Sequence, residues 1–349
     1  MKEPKRIELP CEILMGPGVI DQIGEVCGRL PLGKRSMIIA DEKTFEIAGA
    51  RVRDILKSSG FKVCYVLIEK SDMETVKAVR NLARRKNVEF MLGVGGGKCV
   101  DVAKLASFEE GKPFLSVPTA ASHDGIASAR ASIKGGKKLT SIGTRPPIAV
   151  VADTLIIKLA PYRLLASGCG DLVANITAVR DWELAHRLRG EAFSEYAAAL
   201  SSMSAQLIIK NAAMIKKHTE ESVRKVVKAL ISSGVAMGIA GSSRPASGSE
   251  HLFSHALDQI VPQPALHGEQ CGVGAIMMSY LQGGNWRKIR TALKTIGCPI
   301  NANELGIEPR YIVEALVTAH KIRPDRYTIL GDGLSRRKAE EVASTTGVI

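Results

Sequence analysis

The first 150 or so residues alternate short apolar runs with amphipathic stretches. Apolar runs rich in β-branched residues predict buried strands at residues 36–40, 62–68, 90–94 and 114–117. Helical periodicity lies between them, at residues 48–59, 73–85 and 100–109, and the run at 149–152 is expected to return to the same sheet. Strands that are apolar throughout and alternate with helices are typical of a parallel, doubly wound α/β sheet.

The pattern changes after Ala160-Pro161. From there to the end, Ala-, Leu- and Met-rich helical periodicity dominates and β-branched runs are few. It predicts helices at residues 174–187, 194–216, 221–237, 249–259, 274–280, 286–296 and 309–321. We therefore predict an N-terminal α/β domain over residues 1–160 and an all-helical C-terminal domain over residues 161–349, with a cleft between two such domains as a common place for a ligand.

Composition narrows the class of protein. The chain has 349 residues, enough for two domains, and its aromatic content of 4% argues against a stacking platform for single-stranded nucleic acid. The net charge of +13 is spread over short clusters. A solvated basic surface explains it, attraction of a phosphorylated substrate is a second reading, and a basic nucleic-acid-binding protein remains an alternative.

The cysteines and the apolar stretches bear on location. Seven cysteines at scattered spacings, with no CxxC pair, argue against a disulfide framework and favour a reducing compartment. The N-terminal MKEPKRIELP carries no apolar run, and the longest uncharged stretches, residues 229–243 and 271–286, are short for a bilayer span. We expect a cytoplasmic protein without membrane insertion.

Two polar loops follow neighbouring predicted strands. The first, GVGGGKCVDVAK at residues 93–104, places three glycines before a helix start, where backbone N–H groups suit a pyrophosphate. The second, PTAASHDGIAS at residues 118–128, offers hydroxyls and the Asp124 carboxylate. For the first loop the alternative is a tight strand–helix turn, since its spacing is neither GxGxxG nor GxxxxGK[ST]. For the second it is ordinary turn chemistry, since Ser, Asp and Gly favour caps and turns.

A possible metal site comes from histidine spacing. His251 and His255 stand four residues apart, and Ser247 and Glu250 fit a capping box that would start their helix. His267 follows in a proline-rich loop, and Asp171 follows Gly168 and Gly170 before an expected helix start. One Asp with two or three His suits zinc or ferrous iron. The alternative is a pair of core histidines, and His123, His186, His218 and His320 are expected not to be ligands.

Five strings carry a resemblance: GGGKCVDVAK, PTAASHDGIAS, GCGDLVANITAVRDWELA, SGSEHLFSHALD and HGEQCGVG. In order, from residue 93 to about 275, they resemble the archaeal sn-glycerol-1-phosphate dehydrogenases. These belong with the iron-containing alcohol dehydrogenases, glycerol dehydrogenase and dehydroquinate synthase. The resemblance implies a Rossmann-like first domain, a homo-oligomer, NAD(H) or NADP(H), one Zn²⁺ per subunit, and the interconversion of dihydroxyacetone phosphate with sn-glycerol 1-phosphate for archaeal ether phospholipids.

The same resemblance assigns site residues. The implied cofactor contacts are Gly97, Lys98, Cys99, Val100, Asp101, Thr119, Ala120, Ala121, Ser122 and Ser128. Asp171, His251 and His267 match the zinc ligands, and Asp124, Asp171 and His255 match substrate contacts. We take His255 as the first candidate for proton relay, with Asp124 as the second, because an imidazole exchanges protons near neutral pH.

Some choices stay open at this level. The substrate phosphate needs cationic donors, and Arg323, Arg326, Lys98 and Lys134 are candidates. Asp41, just after the strand at 36–40, would favour NADH by repelling a 2′-phosphate, but the nearby Lys43 weakens that inference. The alternative functions are a glycerol or polyol dehydrogenase of the same superfamily and a lyase like dehydroquinate synthase.

Overall fold

The computed structural model describes residues 6–135 and 138–349, and for residues 134, 135 and 138–140 it describes the backbone alone. The chain forms two compact units. The sheet unit holds the chain up to Ala121 together with Gly125–Pro161, and the helical unit holds Ser122–Asp124 together with Tyr162–Ile349. The three residues Ser122–Asp124 thus belong to the helical unit although their neighbours in the sequence do not.

Over the described residues, the sheet unit contains one six-stranded parallel sheet. Its strands are β1 (Glu12–Gly16), β2 (Arg35–Ala40), β3 (Lys62–Leu67), β4 (Phe90–Gly95), β5 (Phe114–Pro118) and β8 (Ala149–Asp153). They lie in the order β1-β8-β5-β4-β2-β3, and every neighbouring pair is parallel. The predicted parallel sheet is confirmed, and the run at 149–152 returns to it as expected; its place between β1 and β5 was not predicted.

Helices cover both faces of this sheet. They are α1 (Ile23–Arg29), α2 (Glu42–Thr44), α3 (Ala50–Ser58), α4 (Met73–Arg85), α5 (Gly97–Glu109) and α6 (Thr154–Leu159), with a π-helical segment at Phe45–Gly49. Alternate residues of β2 belong to two different cores: Ile38 shares one with Val52 of α3, whereas Met37 shares the other with Val79 of α4 and Val100 of α5. Strands buried on both faces explain why their sequences are continuously apolar.

The periodicity missed three strands of the sheet unit. β1 lies at an edge of the sheet and is only partly buried, so its run is short and mixed. β6 (Arg130–Gly135) and β7 (Lys138–Gly143) form a separate antiparallel pair. This hairpin is rich in Lys, Ser, Thr and Gly, and such a composition reads as loop because it lacks an apolar run.

The helical unit consists of helices and short 3₁₀ turns in the described residues. They are α7 (Tyr162–Arg189), α8 (Glu195–Lys210), α9 (Ala212–Lys216), α10 (Glu220–Ala240), α11 (Ser249–Ile260), α12 (His267–Leu281), α13 (Trp286–Ile296), α14 (Ala302–Leu305), α15 (Pro309–Thr318) and α16 (Arg336–Thr345). The predicted all-helical character is confirmed. Among the described helices, none combines the length and apolarity needed to cross a membrane.

The structure corrects two local expectations around glycines. Gly168 and Gly170 do not precede a helix but lie inside α7, and His267 is not in a loop but opens α12. The reason is the close approach of these two helices: a Cβ on Gly170 would lie 2.2 Å from the carbonyl oxygen of Gly268, and one on Gly268 would lie 1.9 Å from that of Ser167. The glycines serve helix packing and not a turn.

The predicted capping box at the start of α11 is also wrong. The residue before the helix is Gly248, and no side chain caps it in the manner expected of Ser247. Ser249 instead donates both its backbone N–H and its hydroxyl to Asp181 Oδ2, at 2.7 and 2.5 Å. This buried carboxylate from α7 fixes the start of α11 and leaves Glu250 available for another partner.

Candidate active site

Three helices of the helical unit bring one carboxylate and two imidazoles together. Asp171 comes from the buried middle of α7, His251 from the first turn of α11 and His267 from the first residue of α12. Asp171 Oδ1 lies 3.5 Å from His251 Nε2 and 3.7 Å from His267 Nε2. With Cys271, these side chains form a group whose donor atoms all lie within 4.8 Å of one another. Such a set suits a divalent metal ion.

Neighbouring side chains orient the two imidazoles. His251 Nδ1 lies 2.9 Å from Glu250 Oε1, which also accepts from the backbone N–H of Gly248 at 2.6 Å. His267 Nδ1 lies 3.1 Å from the hydroxyl of Ser254. Because each Nδ1 has a partner, each Nε2 is left to face Asp171, as is typical of histidines that bind metals. The sequence analysis assigned Glu250 to a cap and did not identify Ser254.

The pKa shifts describe the charges of this group. Burial raises the pKa of Asp171, but the hydrogen bond with His251 and the charge of His267 outweigh it and lower the pKa to about 2. Burial and the charge of His251 lower the pKa of His267 to about 3. Burial lowers the pKa of His251, yet Cys271 and Asp171 raise it well above its usual range overall. Asp171 is therefore ionised and His267 neutral, which are the forms that bind metals, whereas His251 with its raised pKa releases a proton when a metal binds.

Asp124 is held beside the same group. Its backbone N–H donates to Asp171 Oδ2 at 2.9 Å, and its Oδ2 accepts from the hydroxyl of Ser233 at 2.8 Å. Ser233 in turn accepts from the side-chain amide of Asn175 at 3.0 Å. The sequence analysis missed Ser233 and Asn175. Their signal is faint: each is a buried polar residue in a helix whose buried positions are mostly apolar.

His255 stacks on His267, with the ring centroids 5.6 Å apart and the planes at 24°. Its Nδ1 lies 3.5 Å from Asp258 Oδ2, and Asp258 also accepts from Gln270 at 3.0 Å. The helical unit therefore brings together all five residues that the sequence analysis placed at the metal and the substrate: Asp124, Asp171, His251, His255 and His267.

The glycine loop lies in the sheet unit. β4 ends at Gly95, and Gly96 precedes α5 without any side-chain cap, so the first N–H groups of this 13-residue helix have no side-chain acceptor at the cap. A Cβ on Gly96 would meet nothing within 4 Å, which leaves open space over the helix start. The backbone N–H of Thr119 donates to the Gly95 carbonyl at 3.0 Å and ties the second loop to the first. This geometry fits a diphosphate.

The remaining predicted cofactor contacts lie in these two loops, in the first turns of α5, or at Ser128, the last residue of the second loop. Cys99, Val100, Thr119, Ala120, Ala121 and Ser128 are buried in the sheet unit, and Gly97 opens α5. Asp101 is also buried, where its carboxylate accepts from Lys104 at 3.4 Å and from the backbone of Ser132 at 3.1 Å. Ser122 lies in the helical unit, where its carbonyl accepts from the Ser167 hydroxyl at 3.3 Å.

The four candidates for the substrate phosphate differ in their surroundings. Arg326 is buried and donates to the Ser247 carbonyl and the Ser243 hydroxyl. Arg323 pairs with Asp325, and Lys98 lies 3.2 Å from Asp41 Oδ2. The side chain of Lys134 lies outside the described residues. The phosphate contacts therefore stay a prediction.

Comparison with known proteins identifies one family and relatives that share one name. Residues 14–161 match the iron-containing alcohol dehydrogenase family. The chain is 60% identical over 344 residues to the glycerol-1-phosphate dehydrogenase, NAD(P)+, of Thermococcus sibiricus, covering 98% of each chain. It is 59% identical over 345 residues to the protein of the same name from Methanosarcina acetivorans, covering 99% of this chain and 97% of that one.

Solved structures show the same fold at low identity. The glycerol dehydrogenase of Schizosaccharomyces pombe superposes with a TM-score of 0.82 at 19% identity, over 99% of this chain and 91% of that one. A probable glycerol dehydrogenase from Sinorhizobium meliloti gives a TM-score of 0.80 at 20% identity, over 99% of this chain and 100% of that one.

Proposed function

The chain belongs to the glycerol-1-phosphate dehydrogenases within the iron-containing alcohol dehydrogenases, and from this premise we propose that it interconverts dihydroxyacetone phosphate and sn-glycerol 1-phosphate with NAD(H) or NADP(H). The observation that carries the proposal is the convergence of Asp171, His251 and His267 on one point of the helical unit. In the reducing direction, dihydroxyacetone phosphate, NAD(P)H and one proton give sn-glycerol 1-phosphate and NAD(P)+.

Asp171, His251 and His267 would hold one Zn²⁺, and a carboxylate with two imidazoles is a usual catalytic donor set for it. When bound, the ion supplies Lewis-acid chemistry to the C2 carbonyl and the nicotinamide supplies the hydride. Gly97 to Asp101 would bind the cofactor diphosphate at the start of α5, with further cofactor contacts from Thr119 to Ser122 and from Ser128.

A proton must reach the C2 oxygen during reduction. We assign its delivery to His255, whose ring lies against that of His267 and whose Nδ1 faces Asp258. Asp124, fixed by Ser233 and by its backbone bond to Asp171, would orient the substrate hydroxyls. Loss of an acid–base group costs about 10²–10⁴-fold in rate.

His255→Asn tests this assignment. We expect kcat to fall by about 10²–10⁴-fold and the pH dependence of kcat to change, because Asn cannot exchange a proton. The control is His320→Asn, in the 3₁₀ turn Ala319–Lys321 that follows α15. An H255N enzyme with unchanged turnover and an unchanged pH profile removes the role from His255.

The reaction itself is tested by the absorbance of reduced nicotinamide with dihydroxyacetone phosphate. The assay is run before chelation, after chelation and after zinc is added back, and the product is analysed on a chiral column. We expect turnover that is lost and then restored, with sn-glycerol 1-phosphate as the product. Strong oxidation of glycerol with no response to dihydroxyacetone phosphate identifies a polyol dehydrogenase instead.

Three wider expectations belong to the same proposal. The product would supply the glycerophosphate backbone of ether phospholipids, the enzyme would act in the cytoplasm, and it would form a homo-oligomer. The seven cysteines are all free thiols, which supports a reducing compartment. The oligomer and its size stay predictions.

A further inference from the structure

Cys271 lies beside the three expected metal ligands, Asp171, His251 and His267. It follows His267 by four residues on α12, so the two side chains share a helix face, and it is fully buried. Its Sγ is 3.6 Å from His267 Nε2 and 3.9 Å from Nδ1. The sulfur is therefore nearer the ring nitrogen that faces Asp171 than the one that faces Ser254.

Three of the six separations between the four donor atoms match a single coordination sphere, and all six are within 4.8 Å. With bond lengths near 2.05 Å for nitrogen and oxygen and about 2.3 Å for sulfur, a tetrahedral zinc site holds N and O donors roughly 3.3 Å apart and S and N donors roughly 3.6 Å apart. The measured separations are 3.5 Å for His251 Nε2 to Asp171 Oδ1, 3.7 Å for His267 Nε2 to Asp171 Oδ1 and 3.6 Å for Cys271 Sγ to His267 Nε2.

We propose that Cys271 is a fourth protein ligand of the metal ion in the substrate-free enzyme and that its sulfur makes the site select zinc over ferrous iron. The inference rests on the metal of the proposed function and adds a ligand to it. As the sulfur–metal bond forms, the S–H bond breaks and its proton passes to solvent. Zinc tolerates a fifth ligand during catalysis, so a fourth protein donor is compatible with turnover.

Selection of the metal follows from ligand softness. Carboxylate and imidazole donors accept iron and zinc alike, whereas a thiolate favours thiophilic ions such as zinc and cadmium. With Asp, His and His alone, the metal that binds depends on which ion is available in the cell. With Cys271 added, the protein itself biases the choice, although it belongs with iron-containing alcohol dehydrogenases by sequence.

The direct test is the absorption spectrum of the substrate-free protein loaded with Co²⁺. We expect a near-ultraviolet sulfur-to-cobalt charge-transfer band together with the visible bands of a tetrahedral ion. Cys271→Ser is expected to lose the charge-transfer band and keep the visible bands. Cys298→Ser, another buried cysteine of the helical unit, is the matched control and is expected to keep both. A fully loaded wild-type protein without the band overturns the proposal, as does a band that survives in C271S.

A competition experiment tests the selectivity. Zinc and ferrous iron are offered together, without oxygen, to the metal-free wild type, C271S and C298S, and bound metal is measured. We expect the zinc-to-iron ratio of C271S to fall by about tenfold or more, with C298S unchanged. An unchanged ratio in C271S overturns the selectivity.

Two further measurements distinguish failure of the ligand proposal from misfolding of the variant and from failure of the proposed reaction. If C271S does not fold, Cys271→Ala replaces it, and the wild-type cobalt spectrum decides ligation without any variant. Turnover of dihydroxyacetone phosphate by the zinc protein is measured in parallel. A charge-transfer band without turnover means that the ligand stands and the proposed reaction fails, whereas turnover without the band means the reverse.

Discussion

The candidate sites of the two units differ in whether backbone groups or side chains form them. In the sheet unit the site is mostly backbone: the N–H groups at the start of α5, next to the open space at Gly96. In the helical unit it is mostly side chains: Asp171, His251 and His267, with buried partners such as Glu250. A backbone site depends on conformation and free space, while a side-chain site depends on chemical identity.

This contrast follows from the two kinds of core. A parallel sheet buries apolar strands on both faces and places its functional loops beyond the strand ends. A helical unit can carry buried polar residues if each finds a partner. Asp181, for example, accepts from Ser249, Gln282 and the backbone of Ile329. Substitutions in the two sites should therefore fail in different ways.

The largest effect is expected from removing a side-chain ligand. His251→Ala should lower kcat/KM for dihydroxyacetone phosphate by about 10³-fold or more, because Lewis-acid stabilisation is worth several kcal/mol. Binding of NAD(P)H, followed by its fluorescence, should be unchanged. His186→Ala, at the exposed end of α7, is the control. A matching loss of coenzyme affinity in H251A would contradict the claim that the metal site and the coenzyme site act independently.

Glu250→Gln should come next. Gln keeps the shape and an oxygen that can accept from His251 and Gly248, but it removes the negative charge. We expect the affinity for zinc, measured by competition with a chromophoric chelator, to fall by about 10–100-fold. Glu314→Gln, exposed on α15, should bind zinc normally. Equal affinity in E250Q would show that the charge does not act on His251.

Substitutions at two glycines of the sheet unit should affect two different quantities, the stability of the fold and the binding of the coenzyme. A Cβ on Gly93 would lie 2.9 Å from Val100 Cα, so Gly93→Ala should destabilise the fold by about 1–3 kcal/mol in chemical denaturation. A Cβ on Gly96 meets open space, so Gly96→Ala should change stability by less than about 0.5 kcal/mol. It should nevertheless weaken NAD(P)H binding, because the new methyl group occupies the space for the diphosphate. Unaltered coenzyme binding in G96A would place the diphosphate elsewhere.

The smallest expected effect is a change of coenzyme preference. Burial raises the pKa of Asp41, but bonds from Thr44 and the nearby Lys98 lower it overall, so the carboxylate is ionised at neutral pH. Asp41→Ser keeps an acceptor for the Thr44 N–H, removes the charge and leaves Lys98 without that partner. We expect the ratio of kcat/KM for NADPH to that for NADH to rise about tenfold. Asp54→Ser, exposed on α3, should leave the ratio unchanged.

Much of the local structure could be predicted because its signal is local. The helices at Met73–Arg85 and Trp286–Ile296 begin and end where periodicity places them. The hairpin β6–β7 could not be found in this way, since its strands are polar. α7 was predicted to begin about twelve residues too late, because glycines that serve packing look identical in sequence to glycines that break a helix.

The amino-acid sequence by itself determined the alternation of β2 to β5 with α3 to α5, the glycine loop before α5, and the two histidines on one face of α11, because each depends on residues that are neighbours in the chain. Only the tertiary structure decided that Glu250 turns to His251, that Ser233 holds Asp124, and that Cys271 joins the three expected ligands. Those contacts join separate helices or depend on rotamers, and periodicity carries no information about how one helix is turned toward another.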